Sequence, residues 1–117
     1  MNTRPYQKLV VWQEAHKLCL HVYKRTKNFP AEEKFGLRSQ MRKAGYSVPI
    51  NIAESNGRRT KKDRSNFLDI SKGSIEELHY QCILARDLEY ITKKECEELH
   101  DHIQRTGYLL HKFQQSL

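Results

Sequence analysis

Asn51-Ile52-Ala53-Glu54-Ser55-Asn56-Gly57-Arg58-Arg59-Thr60-Lys61-Lys62, followed by Gly73-Ser74-Ile75-Glu76-Glu77-Leu78, reads as the end of one helix, a turn and the basic start of the next. Upstream of it, Leu37, Met41, Ala44, Val48 and Ile52 recur at spacings of three and four, which places them on one helical face. Ser55-Asn56-Gly57 breaks that pattern. Thr60, with Asp63 three residues on, then supplies a cap for the following helix, weaker than a Thr/Glu pair because Asp is shorter. No catalytic grouping lies inside this stretch, so it points to a binding or assembly protein.

Working outward, the second helix is expected to begin between Glu32-Glu33 and Leu37, where acidic groups suit the positive end of the helix dipole. Pro49 lies inside it. A proline there removes the hydrogen bond to the carbonyl of residue 45 and pushes against it, so a kink is expected, eased by the glycine at position 45. The third helix is expected to run to about Ile91 and to bury Phe67, Ile70, Ser74, Leu78, Cys82, Ala85 and Leu88. Ser71, Gly73 and Ser74 near its middle would let another helix approach closely.

The first helix carries Leu9, Trp12, Ala15, Cys19 and Val22 on one stripe, widened by Val11 and Leu18, and stops around Asn28-Phe29-Pro30. The last opens with the capping box Thr92-Lys93-Lys94-Glu95 and aligns Cys96, Leu99, Ile103, Thr106, Leu110 and Phe113 as a bundle seam. Four helices with short connections make an all-α, antiparallel up-down-up-down bundle the economical fold, and no alternating strand-like segment competes with it. The 117 residues form a single domain, 1–117, since no linker or low-complexity stretch divides them.

The chain has 21 Lys and Arg against 14 Asp and Glu, a formal charge of +7. Residues 1–64 hold 15 basic and 5 acidic side chains, net +10, whereas residues 65–117 hold 6 and 9, net −3. Arg38, Arg42, Lys43, Arg58, Arg59, Lys61, Lys62 and Arg64 are the candidate nucleic-acid-binding residues, a set able to neutralise phosphates with steep salt dependence. The competing reading is that these charges are solvated, or face the acidic half of a neighbouring protomer. Asn51 and Glu54, one turn apart before the basic turn, are expected to stabilise it, Glu54 by pairing with Arg58 or Arg59 and capping the third helix. The six tyrosines suit subunit interfaces and could also stack on bases.

Enzymatic and metal chemistry find little support. His16 and His21 are five apart and His100 and His102 two apart, so neither pair has the helical i,i+4 ligand spacing, and His79 and His111 stand alone. There is no inward-facing Glu-x-x-His motif and no glycine-rich phosphate loop. Cys19, Cys82 and Cys96 are widely spaced among apolar neighbours and read as buried, reduced packing residues, with no metal or other cofactor expected. The start Met1-Asn2-Thr3-Arg4-Pro5 lacks the apolar core of a signal peptide and no segment has the length and hydropathy of a membrane span, so a cytoplasmic protein without membrane contact is expected.

The blocks Leu9-Val10-Val11-Trp12, Phe35-Gly36-Leu37-Arg38-Ser39-Gln40-Met41-Arg42-Lys43-Ala44, Ser47-Val48-Pro49-Ile50-Asn51-Ile52-Ala53-Glu54, Gly57-Arg58-Arg59, Gly73-Ser74-Ile75-Glu76-Glu77-Leu78 and Leu88-Glu89-Tyr90-Ile91 stand in a telling order. Through them the chain resembles, over nearly its full length, the small bacterial four-helix-bundle proteins encoded by intervening sequences of 23S ribosomal RNA genes. That group includes the accessory variability determinant of diversity-generating retroelements. Ser55 departs from the glycine usual after Asn-Ile-Ala-Glu, and His79-Tyr80 follows Glu-Glu-Leu where an acidic residue is common. The resemblance implies a ring-like homo-oligomer, typically a pentamer, and in the retroelement branch binding of RNA or DNA and of a reverse transcriptase. The expectation is a non-enzymatic nucleic-acid-binding scaffold. The alternative is a structural oligomeric adaptor for a protein partner, with no nucleic-acid role.

Overall fold

The computed structural model describes all 117 residues and contains four α-helices and no strand: α1 (Val10–Thr26), α2 (Leu37–Asn56), α3 (Lys61–Asp87) and α4 (Lys93–Gln115). Short 3-10 turns at Pro5–Lys8 and Ala31–Glu33 precede α1 and α2. Each helix packs on its chain neighbours, α4 closes back on α1, and the diagonal pairs stay apart. Cross-helix bonds run in opposite chain directions at the α1–α4 and α2–α3 interfaces. Arg25 meets Glu98 while Glu14 meets Arg105, and Ser55 meets Arg64 while Ser47 meets Ser74. The bundle is therefore antiparallel, up-down-up-down, as the short connections require.

Its core is a single cluster that includes the fully enclosed Leu18, Met41, Ile52, Leu68, Leu78, Leu99, Ile103 and Leu110. The stripes expected for α1, α2 and α4 are the buried ones, with Leu9, Trp12, Leu37 and Phe113 only half-buried at the edges. In α3 the expectation needs correction. Leu68, Ser71 and Ile75 are buried, whereas Ile70 and Leu88 are about half exposed and Phe67 lies at the margin. The reason is the contact with α2. Ser71 Oγ donates to the Val48 carbonyl at 2.9 Å and Ser74 Oγ to Ser47 Oγ at 2.8 Å, so small hydroxyl-bearing residues hold the interface where larger ones would keep the helices apart. Gly73, by contrast, faces open space and plays no part in that approach.

Pro49 does not end α2, which continues helical to Asn56 with the proline buried. Gly45 is buried too, and a Cβ there would meet Val22 of α1 at 3.4 Å, so glycine at this position serves a close α1–α2 approach as well as the proline. Asn51 Nδ2 donates back to Ser47, at 2.8 Å from its carbonyl and 3.1 Å from its hydroxyl, which braces the proline-bearing turn.

Both helix caps expected from the sequence form: Thr60 accepts from the Asp63 N–H at 3.1 Å, and Thr92 and Glu95 form a complete capping box. The end of α3 comes earlier than expected, at Asp87. Glu89 adopts φ 64°, the Tyr90 N–H bonds to the Ala85 carbonyl and the Glu89 N–H to the Arg86 carbonyl, which together make a Schellman stop with glutamate in the position glycine usually fills. At the start of α2, the Glu33 carboxylate accepts from the Leu37 N–H at 2.9 Å and from the Tyr90 hydroxyl at 2.7 Å. These bonds hold Glu33 below the usual carboxylate range and push the Tyr90 hydroxyl up to about 12.

The α1–α4 seam carries a polar network. Glu14 accepts from Arg105 Nε at 2.7 Å, which lowers its carboxyl pKa, and Arg25 bridges Glu95 and Glu98, both at 3.3 Å. Between these ion pairs, His21 and His102 share a hydrogen bond of 3.0 Å between their Nδ1 atoms. Such a bond needs one donor and one acceptor, so the two rings cannot both be protonated. Burial pushes both imidazoles down, His21 to about 4; the charges of His102 and Arg25 add to the effect at His21, and at His102 Arg105 adds to it while Glu14 opposes it. A lowered histidine pKa means that the unfolded chain binds more protons, so stability is present above 6.5 and is lost as pH falls toward 4. The midpoint of urea unfolding is therefore expected to fall between pH 6.5 and 4, and the His21→Gln/His102→Gln variant to flatten that dependence. A wild-type midpoint that holds steady across this window would contradict the lowered histidine pKa values.

Candidate nucleic-acid interface

The expected basic residues do not form one continuous patch. Arg38 and Arg42 lie in the first turns of α2 and Arg58 lies just beyond its end, so the helix separates them by roughly 30 Å at 1.5 Å per residue. Two basic regions result, at opposite ends of α2. Lys43 belongs to neither. It lines a shallow dip between α2 and α3 that also contains Glu77 and Ser74.

At the first end, Arg38, Arg42 and Lys34 surround a hollow with Tyr23, Phe35 and Tyr46. Phe35 is almost fully exposed, at 86%. Arg42 is committed to the fold. Its Nε donates to Thr26 Oγ1 at 2.9 Å, its terminal nitrogen reaches the Tyr23 carbonyl at 3.4 Å, and its guanidinium lies 4.6 Å from the centre of the Tyr23 ring. Thr26 is itself fully buried and donates to the Val22 carbonyl, so Arg42 locks the end of α1 against α2.

At the second end, the α2–α3 turn is built from the backbone outward. Ser55, buried, donates to the Arg64 carbonyl at 2.9 Å, and Arg64 Nε donates to the Arg58 carbonyl at 2.8 Å. Arg58 pairs with Glu54 at 3.2 Å and lies 4.6 Å over the Phe67 ring. The expected Glu54–Arg58 pair is therefore present. Glu54 does not cap α3, a role filled by Thr60, and Asn51 bonds within α2 and never reaches the turn. Ser55 is what ties the two helices together at this turn.

Arg59, Lys61 and Lys62 remain. All three are exposed and none makes an ion pair or a side-chain hydrogen bond in the folded chain. Lys61 and Lys62 occupy the first turn of α3, where the helix dipole favours anions, and Asp63 is the sole acidic residue there. The sign of charge is the wrong one for helix stability and the right one for an anionic partner.

Sequence reading weighed pairs along single helices and so missed pairings between them. His21 meets His102 across α1 and α4, and the His79 and His100 rings stack with centroids 4.5 Å apart across α3 and α4. Beside that stack the Cys82 and Cys96 sulfurs lie 3.3 Å apart. The Cys96-x-x-x-His100 spacing was the sequence signal for this second cluster. Cys19 is buried separately on α1, and burial pushes its thiol pKa up.

The family model for the 23S rRNA-intervening sequence protein matches residues 7–112. The chain belongs to that family. Among solved structures, a protein of unknown function from the S23 ribosomal protein family of Bacteroides thetaiotaomicron VPI-5482 is similar, with a TM-score of 0.80 at 24% identity over 90% of this chain and 98% of that one. At that identity the likeness concerns the fold alone. No curated protein matches the chain. No helix is long and apolar enough to cross a membrane.

The two kinds of arginine and lysine are separable by experiment. Arg42→Ala is expected to cost about 1 to 2 kcal/mol of stability through the lost hydrogen bonds and ring contact, and Lys62→Ala less than about 0.5 kcal/mol. Urea unfolding of both variants checks this; equal effects would contradict the assignment of Arg42 to the fold.

Proposed function

We propose that this protein is a non-enzymatic, oligomeric scaffold that binds the sugar-phosphate backbone of RNA or DNA through its α2–α3 turn. One observation carries the reading: Arg59, Lys61 and Lys62 are exposed and unpaired at the positive end of a long helix. Side chains placed against the local electrostatic gradient lower stability slightly and recover that free energy when an anion binds. Arg58 and Arg64 add charge next to them while fixing the turn, so the cations stand on a rigid base. Phosphate contacts of this kind give affinity and position without base readout. In its finer form, the reading follows the family resemblance: protomers form a ring, a pentamer by that resemblance, and serve beside a reverse transcriptase in the cytoplasm.

A specific observation favours a second reading, the protein adaptor. Tyr6, Trp12, Tyr46, Pro49, Ile50 and Ala53 line an apolar hollow on the α1–α2 face, and of these Ile50 and Tyr46 are about half exposed. An amphipathic aromatic surface of this kind suits a subunit or partner interface. The two readings use different faces, so the scaffold can assemble through one and bind nucleic acid through the other.

The test is the salt dependence of binding. Each phosphate contact contributes a slope of about −0.9 in log K against log salt for duplex DNA. The triple variant Arg59→Ala/Lys61→Ala/Lys62→Ala is expected to lower the magnitude of the slope by about 2 to 3 and to weaken binding at low salt, with the particle mass from light scattering unchanged. An unchanged slope would remove these residues from the interface. Loss of assembly in the variant would transfer them to the subunit contact instead.

A further inference from the structure

The Cys82–Cys96 contact lies between α3 and α4, near the end of the bundle opposite the basic turn, and the function proposed above makes no use of it. Both cysteines are buried, at 0% and 1% exposure, and their sulfurs approach to 3.3 Å. His100, half-buried, stands one turn beyond Cys96 on α4. Ligand atoms of Cys82, Cys96 and His100 all lie within 4.8 Å of one another. On α3, His79 stands one turn before Cys82, and its ring is stacked on that of His100 at an interplanar angle of 13°. Each helix thus presents one cysteine and one histidine a turn apart, His79 with Cys82 and Cys96 with His100, and the two pairs face each other.

We propose that Cys82, Cys96 and His100 form a site for a zinc-class transition metal held between α3 and α4, with the fourth position open to water. Two sulfurs and one imidazole nitrogen, with water in the fourth position, are a donor set that such an ion takes in tetrahedral geometry. Metal–ligand bonds of about 2.0 to 2.3 Å place tetrahedral donors about 3.3 to 3.8 Å apart, so the separations present require side-chain adjustments of about an ångström. Two thiolates and a dication sum to zero charge, which removes the electrostatic objection to burying them.

A further observation supports a metal over a disulfide. The Nε2 of His100 lies 3.2 Å from the His79 carbonyl, an acceptor only, so the ring carries its proton on Nε2 and keeps a free lone pair on Nδ1. A ligating histidine characteristically has this arrangement, one nitrogen donating to a backbone carbonyl and the other left for the metal. A disulfide would account for the two sulfurs and leave the His100 imidazole without a role. The same ligands would join the end of α3 to the start of α4 across the Schellman stop at Glu89.

The experiment uses the full chain, stripped with a chelator and kept reduced by a phosphine, titrated with Co2+ as the spectroscopic probe and then with Zn2+. One cobalt per chain is expected, with the intense visible bands of a tetrahedral site, a thiolate-to-cobalt charge-transfer band, and displacement by zinc. Zinc is also expected to raise Tm, because it binds the folded chain alone. Cys82→Ser and Cys96→Ser are expected to abolish the charge-transfer band, but either can disturb the core. His100→Gln, at a half-buried position, is therefore the deciding variant. It is expected to weaken cobalt binding by about tenfold or more while keeping the helical circular dichroism, with exposed His111→Gln as the unaffected control. Reduced protein with both thiols titratable and no tetrahedral cobalt spectrum would overturn the site, as would cobalt affinity that survives His100→Gln.

Discussion

The hydrogen bonds that Ser71 and Ser74 make to α2 hold together the rest of the architecture. Pro49 lacks the N–H that would bond to the Gly45 carbonyl, a defect that ordinarily bends or ends a helix. Here α2 continues for another two turns. Ser71 bonds to the Val48 carbonyl, Ser74 to the Ser47 hydroxyl, and Asn51 back to Ser47, so the weakened turn is braced from α3 and from within. Gly45 lets Val22 close in from the other side. Because α2 stays helical, its two ends become the two basic regions of the molecule, and the α2–α3 turn is presented at one extremity of a bundle 43 Å long.

The split of charge along the chain takes a particular three-dimensional form. Part of it is satisfied internally: Arg25 of α1 is bound by Glu95 and Glu98 of α4, and Glu14 of α1 by Arg105 of α4, so opposite charges meet across one seam. Nothing comparable reaches Arg59, Lys61 and Lys62, and Glu54 is engaged with Arg58. Net charge by itself favoured an anionic partner in general terms. The pattern of paired and unpaired cations narrows this to one turn and separates cations that build the fold, such as Arg42, from those that serve no fold contact.

Much of this was legible in the sequence wherever apolar side chains mark the buried face. The seam of α4 from Cys96 to Leu110, the stripe of α2 from Met41 to Ile52 and both threonine caps follow directly from periodicity and capping chemistry. The first half of α3 did not, because its closest neighbour is met by serines; hydrophobic spacing then favoured Ile70 over the Ser71 that is buried. The stop after Asp87 was hidden because Glu89, unlike glycine, carries no signal for a left-handed residue. The role of Asn51 was misassigned because a side chain one turn from the basic loop can equally bond backward, and beside a proline that choice wins. The His21–His102 and Cys82–Cys96–His100 groupings join residues far apart in the chain, and spacing along one helix cannot show what a facing helix brings to it.

The central claim, that the α2–α3 turn is the nucleic-acid surface, is tested most directly by mapping backbone amide shifts in NMR spectra as a short RNA or DNA duplex is added at low salt. The account predicts perturbations concentrated between residues 57 and 65, fading as salt is raised. Shifts confined to the hollow around Trp12 and Ile50, or no shifts at all, would contradict it and leave the protein adaptor as the function to pursue.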